Sequence, residues 1–325
     1  MAETATQSEK KKKESRFVVY AALVGNLLVV VTKVVAAVWT GSSAMTSEAI
    51  HSFVDTFNEI LLLYGMKRAA QKPDLEHPLG YGRELYFWSF MVALMVFAMG
   101  AIASLYEGAT HLLHPEPMRS PLVSYVVLGA AFLFEATSWV VSFRSFRAGK
   151  GRMGFYEAFV RSKNPPTFMV LLEDSAALLG IVVAALGTFL SVTLHSPVID
   201  GVASIVIGLI LATTAALLLR ESKSLLLGET ATPELTAAVL ALARAEPGIA
   251  GANGMFSVQL GPDHVVVALS IEFGDELKAT AVEDIVVSLE RKVRAAHPEV
   301  VGLFVKPQDH TRFDAWRRAR ATPDA

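Results

Sequence analysis

Apolar residues gather in six long runs, at about residues 17–39, 43–65, 85–106, 122–143, 167–190 and 198–219. Each is near the ~20 residues an α-helix needs to cross a hydrocarbon layer, so the pattern predicts six transmembrane helices. After Gly228 the pattern changes. Thr232-Pro233-Glu234 opens an N-capped helix with Pro at its first position, and apolar residues recur at helical spacing as far as Leu242. Residues 255–260 and 264–273 read as strands, the second alternating Val265, Val267, Leu269, Ile271 and Phe273 on one face, with Gly261-Pro262-Asp263 as the turn between them. A second amphipathic helix spans 279–296 and a third strand 300–305. This order of helix, strand, strand, helix, strand suits a compact α+β sandwich, too small for an elaborate enzyme and suited to pairing or regulation. The predicted organisation is a basic disordered tail at 1–16, a six-span domain at 17–220, a cytosolic α+β domain at 229–310 and a C-terminal tail at 311–325.

Composition agrees with a polytopic α-helical membrane protein. Hydrophobic residues make up 53% of the chain and charged ones 18%, with mean hydropathy +0.44, above the apolar share of a soluble domain. The net charge of −2 excludes a globally basic nucleic-acid binder, and the lack of Cys excludes disulfides and thiolate ligands. Any metal site must be built from His, Asp and Glu. Lys and Arg collect before the first run, after the second, between the fourth and fifth and after the sixth, while the intervening loops hold only Arg119. That asymmetry predicts that both termini are cytoplasmic. The Lys10–Lys13 run reads as a positive-inside flank, not a nucleic-acid arm, and the first span as an uncleaved anchor.

The ionisable residues within the second and fifth runs carry the candidate chemistry. A charge inside a bilayer costs at least ~2.5–3.5 kcal/mol on the most lenient insertion scale, so such groups mark pairs, cavities or ion sites. His51 and Asp55 stand at i and i+4, on one helix face, with Glu48 and Asn58 extending the stripe. Glu173 and Asp174 lie in the fifth run. A lone intramembrane His is otherwise accounted for by a hydrogen bond to a neighbouring helix. A neutral imidazole with two carboxylates suits zinc better than magnesium, which prefers an all-oxygen octahedron. The same groups bind protons, so metal and protons compete for them, the minimal machinery of an antiporter.

Three stretches carry a family resemblance: Ser47-Glu-Ala-Ile-His-Ser-Phe-Val-Asp-Thr-Phe-Asn, Asp74-Leu-Glu-His-Pro-Leu-Gly-Tyr-Gly-Arg-Glu and Leu172-Glu-Asp-Ser-Ala-Ala-Leu-Leu-Gly. Together they resemble the cation diffusion facilitators, the zinc transporter family, in the branch of mitochondrial-type zinc transporters. The resemblance implies a homodimer of six-span protomers with a ferredoxin-like cytosolic domain, exchanging a divalent metal for protons by alternating access. It also implies a transport site with two ligands on the second span, matching His51 and Asp55, and two on the fifth. Asp174 fits one of these, but the other falls at Val170, which cannot coordinate. The fourth ligand is then Glu173, Glu48, a water or nothing. Glu173 lies about 100° around the helix from Asp174, which suits an outer position or a proton carrier, with direct ligation as the alternative. A loop metal site is matched at Asp74 and at His77, with Tyr81 where many members have His; His77-Pro78 is equally turn chemistry. The family's cytosolic metal positions fall near Ser270, Glu283 and Pro307, with only Asp309 kept. Pairing through this domain is therefore expected to rest on apolar contact.

Other intramembrane polar residues are Asn26, Lys33, Glu107, Glu135 and Asp200. These line the aqueous path or pair between helices; Lys33 has the reach to snorkel, and Glu135 is read as pairing between helices with Lys33 or an Arg, with ligation as the alternative. The resulting reading is a divalent metal/proton antiporter, with Zn2+ as cargo and protons as counter-substrate, in a bacterial inner membrane. The alternatives are a membrane metal sensor or scaffold without turnover, and a carrier of manganese, iron, cobalt or another cation, including an organic one. No nucleotide-binding loop or nucleophile motif supports an enzyme.

Overall fold

A computed structural model describes residues 26–150 and 153–321. The expected tail at 1–16, the opening of the first expected span and Arg152 lie outside the described residues. The chain forms two compact units. The first comprises the residues up to Gly65, Trp88–Val160 and Pro165–Ser222; the second comprises Met66–Phe87, Arg161–Asn164 and the chain from Lys223 onward.

The helices are α1 (Asn26–Thr40), α2 (Ser43–Ala69), α3 (Arg83–Leu113), α4 (Pro121–Lys150), α5 (Phe155–Arg161), α6 (Pro165–Thr193) and α7 (Val198–Leu227). Pro121 and Pro165 open α4 and α6, where a missing N–H costs nothing. The expectation of six transmembrane helices is corrected here. Among the described residues four helices, α3, α4, α6 and α7, are long and apolar enough to cross a membrane. The described part of α1 is too short, and residues 17–25 of that expected span lie outside the described residues. At 27 residues α2 is long enough, but Glu48, His51, Asp55, Asn58 and Glu59 dilute its apolar character.

Small residues set the packing of the first unit. A Cβ added at Gly108 of α3 would stand 2.7 Å from the Ile205 side chain and 2.8 Å from the Gly201 carbonyl of α7, and one at Gly208 would stand 2.8 Å from Leu105. Such approach of two backbones is what glycine permits in apolar bundles. Ala36, Ala44, Ala49, Ala101, Ala176, Ala184 and Ala203 continue the same close core. Within α3, residues Val96–Ala101 form a π-helical turn, a local widening that often accompanies function.

Helices α1 and α2 are joined by Gly41 and Ser42 alone. Gly41 adopts φ +65°, a left-handed conformation that favours glycine, and the chain reverses into a tight helical hairpin. The exposed N–H groups opening α2 are satisfied from another helix. Asp200, buried near the start of α7, accepts the Ser42 hydroxyl at 2.9 Å and the Ser43 and Ala44 N–H groups at 2.6 and 3.4 Å. It is an N-cap supplied in trans, with His111 Nε2 4.0 Å away. The Ser47 and Ser204 hydroxyls share a hydrogen bond, and Ser204 also donates to the Ser104 carbonyl.

In the second unit, α8 (Pro233–Arg244) is capped as its sequence foretells: Thr232 Oγ1 accepts the Leu235 N–H at 3.3 Å. There follow β1 (Ile249–Gly261), β2 (His264–Phe273), α9 (Ala279–Ala296), β3 (Val300–Pro307) and α10 (His310–Ala321). The sheet order is β1-β2-β3, with β1/β2 antiparallel and β2/β3 parallel. Val265, Val267, Leu269 and Ile271 point into one core with Val239, Leu289 and Val293 from α8 and α9. The ferredoxin-like expectation is corrected: among the described residues the sheet has three strands and is not closed into that fold. After Pro307 the chain turns more polar and forms α10 up to Ala321, with no fourth strand among the described residues. Phe313 packs over Gly254, and Trp316 meets Phe256 edge-on at 4.6 Å. The segment from 66 to 87 belongs to this unit: Gly82 lies against the backbone of Leu260 and Gly261, and the Tyr86 hydroxyl donates to the Lys163 carbonyl at 3.1 Å. Lys163 and Glu229 form an ion pair.

Replacing Asp200 with Ala removes the cap of α2 and is expected to cost about 1–2 kcal/mol of stability. A thermal melt of the purified protein checks this, and an unchanged midpoint would refute it.

Candidate functional site

The hairpin fixes which polar groups of α1 meet which of α2. Lys33 and Glu48 lie within about two helical turns of the link on either arm of the hairpin, and Lys33 Nζ donates to Glu48 Oε2 at 3.0 Å and to Ser52 Oγ at 2.7 Å, with both charged side chains fully buried. Further along the same hairpin, Asn26 Nδ2 donates to Glu59 Oε2 at 2.7 Å. Lys33 therefore neither snorkels nor pairs with Glu135, as the sequence suggested; the tight turn brings Glu48 to its own depth.

On the same stripe of α2, His51 is 1% exposed and its Nε2 lies 3.4 Å from Asp55 Oδ2. Among the described residues neither ring nitrogen of His51 has a hydrogen-bond partner; nor do Asp55 Oδ1, Asn58 Oδ1 or Glu48 Oε1. Buried polar atoms left unpaired are costly and rare, and a cluster of them invites an explanation beyond folding.

Helix α6 supplies the facing groups. Glu173 is buried and accepts the Asn58 amide at 3.2 Å, tying it to α2. Asp174 turns toward α4, where Oδ2 accepts the hydroxyls of Ser138 and Ser142 at 3.0 and 3.1 Å. The Trp139 indole donates to Ser175 at 2.9 Å and locks the same pair of helices. Asp55, Glu173 and Asp174 together line a cavity of about 40 Å³, with Ser52, Glu59 and Glu135 also on its wall. Val170 lines it too, so the position without a donor faces the same space. A cavity of that size holds a partly hydrated ion, whereas small-molecule sites are about 300–1,000 Å³. Among the described residues no three His, Asp or Glu side chains converge on one point at metal-binding distance. Ser138 and Ser142, one helical turn apart on the same helix as Glu135, were the sequence signal for a polar face on α4 that could cradle Asp174.

Asp74 and His77 belong to the second unit, on the connection between α2 and α3, and are not among the residues that line this cavity. Asp74 Oδ1 accepts the N–H groups of Glu76 and His77 at 3.0 and 2.7 Å, and Oδ2 accepts the Tyr81 hydroxyl at 2.5 Å. The His77 ring lies over Tyr81 at 4.2 Å, and the Arg68 guanidinium sits 5.5 Å from the Tyr81 ring. These are the contacts of a self-contained Asx turn. The Tyr81 hydrogen bond, followed by that of the His77 backbone, holds the Asp74 carboxyl below its ordinary range.

Comparison with known proteins now defines the class. Residues 19–227 match the cation efflux transmembrane domain family, and the chain belongs to the cation diffusion facilitators, a family of membrane transporters and not of enzymes. The proton-coupled zinc antiporter SLC30A9, mitochondrial, of Mus musculus is 33% identical over 243 residues, 74% of this chain and 43% of its own length. Metal tolerance protein C4 of Arabidopsis thaliana is 28% identical over 242 residues, covering 74% of this chain and 53% of that protein. The cation-efflux pump FieF of Cronobacter sakazakii is 27% identical over 285 residues, 87% of this chain and 89% of the pump. The chain thus spans about half the length of the first two relatives.

In Tyr81→Phe the Asp74 titration, followed by carboxyl NMR, is expected to move up toward the ordinary aspartate value. Because the folded value is depressed, the turn's electrostatic stabilisation is complete above the unfolded value and is lost as pH falls through the folded one. An unshifted midpoint would show that Tyr81 does not hold the carboxylate.

Proposed function

We propose that this protein carries a divalent cation, zinc foremost, across the membrane in exchange for protons, with the cargo held by His51 and Asp55 of α2 and by Asp174 and Glu173 of α6. The observation that carries this reading is the set of buried, unpartnered donors on His51 and Asp55 beside a small carboxylate-lined cavity. Their N and O donors suit a borderline cation such as zinc. Val170 faces the cavity without a donor, and the neighbouring Glu173 takes the place that a ligand there would fill. The Asn58 amide aims Glu173 at α2, while Ser138 and Ser142 hold Asp174 for the same space. The small cavity argues against an organic cation. The zinc antiporter and cation-efflux pump among the relatives support the choice of cargo and of export.

Antiport follows from chemistry that the ligands share. An imidazole and carboxylates must lose protons to take a metal, so loading the ion releases protons and reprotonation expels it. The ligands stand apart in this conformation and draw together around the ion as α2 and α6 close, and the reverse movement opens the site to the other side. The Lys- and Arg-rich loops, and with them both termini, face the cytoplasm of a bacterial inner membrane. Two copies pair through apolar surface of the α+β domain, where Phe256 and Phe304 remain exposed. No transport step is assigned to Asp74 or His77. A sensor without turnover would bind metal at the same residues but move none.

In proteoliposomes with an imposed pH gradient, zinc uptake read by a trapped fluorophore is expected to fall by about a hundredfold in Asp55→Asn, with the fold intact, as befits loss of a metal ligand. Full flux in that variant sinks the site assignment; zinc binding without flux in the wild type selects the sensor. Because Glu173 takes the fourth place of a tetrahedral site, Val170→His is expected to leave zinc affinity within about twofold of wild type. Markedly tighter binding would mean that the position is vacant and that Glu173 is not a ligand.

A further inference from the structure

The Lys33–Glu48 pair is unexplained by folding economy. Burying two charges among apolar helices is costly even when they meet, and an apolar pair of equal volume is often as stable. The pair sits beside the proposed cargo site. Lys33 Nζ is hydrogen-bonded to Ser52, whose side chain lines the cavity, and Glu48 stands one helical turn from His51 on the same stripe. Only one oxygen of Glu48 meets the ammonium. Among the described residues Oε1 has no hydrogen-bond partner, and it lies against Gly180 of α6, where any side chain would collide with it. Glu48 therefore has an oxygen that the ammonium does not engage and a neighbouring ligand one turn away, with α6 packed close enough at Gly180 to admit that oxygen, and the Lys33 ammonium is what holds it.

We propose that Lys33 is a built-in counter-cation that keeps Glu48 from joining the cargo ion, and so sets the affinity of the site low enough for release. It is a positioning residue: it acts through Glu48 and never touches the cargo. A carrier needs this restraint, because a site that binds too tightly cannot let go, and each further carboxylate ligand strengthens cation binding. The inference rests on the reading of His51 and Asp55 as cargo ligands.

The test is zinc binding to the purified full chain by equilibrium dialysis at constant pH, with a thermal melt of every variant. Lys33→Gln keeps N–H donors for Glu48 and Ser52 and removes only the charge; it is expected to bind zinc about tenfold more tightly, as one added ligand does. Lys33→Gln/Glu48→Gln is expected to return to wild-type affinity, and Lys33→Arg to keep it. Unchanged or weaker binding by a folded Lys33→Gln overturns the proposal, as does a double variant that stays as tight as the single one. If Lys33→Gln does not fold, the double variant and Lys33→Arg decide, and a tenfold departure of either from wild type overturns the proposal. Asp55→Asn in the same assay separates the two readings. Retained zinc binding there rejects the cargo site itself, whereas its loss alongside an unaltered Lys33→Gln rejects only the role of Lys33.

Discussion

A charge or polar group placed among apolar helices must find a partner, and that demand organises the first unit of this protein. Lys33 and Glu48 meet across the α1–α2 hairpin, Asp200 closes the open end of α2 from α7, and Ser138 and Ser142 of α4 cradle Asp174. Each pairing joins two helices that apolar packing alone would leave free to slide, because one apolar surface substitutes readily for another in a bundle. Helix α2 takes part in two of these contacts, reaches α6 through Asn58 and Glu173, and also carries His51 and Asp55. The contrast between satisfied groups and those left unsatisfied is what separates framework from site. The same helix that is tied at its start by Asp200 and further along by Lys33 leaves both nitrogens of His51 without a hydrogen bond among the described residues, with only the Asp55 carboxylate beside Nε2.

Much of this was legible in the sequence. The helix and strand order of the α+β domain follows from periodicity, and its β2 core face, Val265 to Ile271, is buried as alternation requires. The long apolar helices α3, α4, α6 and α7 announce themselves by composition. Two expectations failed for identifiable reasons. A six-span count treats α2 as apolar, yet the polar stripe that makes it a candidate site is what removes it from that class. The ferredoxin-like fold came from resemblance, while the residues after Pro307 are polar and helical and supply no further strand.

In the site the sequence named the residues but not their directions. Adjacent positions such as Glu173 and Asp174 diverge around a helix, and only the neighbours decide that one meets α2 and the other α4. The partner of Lys33 was readable only in part. A two-residue link with Gly41 at a positive φ implies a tight hairpin that brings polar residues of its two arms to similar depth, but mirror counting from the turn does not pick out Lys33 with Glu48 or Asn26 with Glu59. The contacts that lie far apart in sequence, Asp200 with Ser42 and Asp174 with Ser138, depend on how separate helices assemble: the spacing of Ser138 and Ser142 marks a polar face on α4 but does not name Asp174 as its partner.

X-ray absorption at the zinc edge of the metal-loaded protein tests the central claim most directly. The account predicts one imidazole nitrogen and two or three carboxylate oxygens at the tetrahedral distances of about 2.0–2.2 Å, with the nitrogen contribution lost in His51→Ala. A spectrum of six oxygens, or a nitrogen shell that survives the removal of His51, would contradict it.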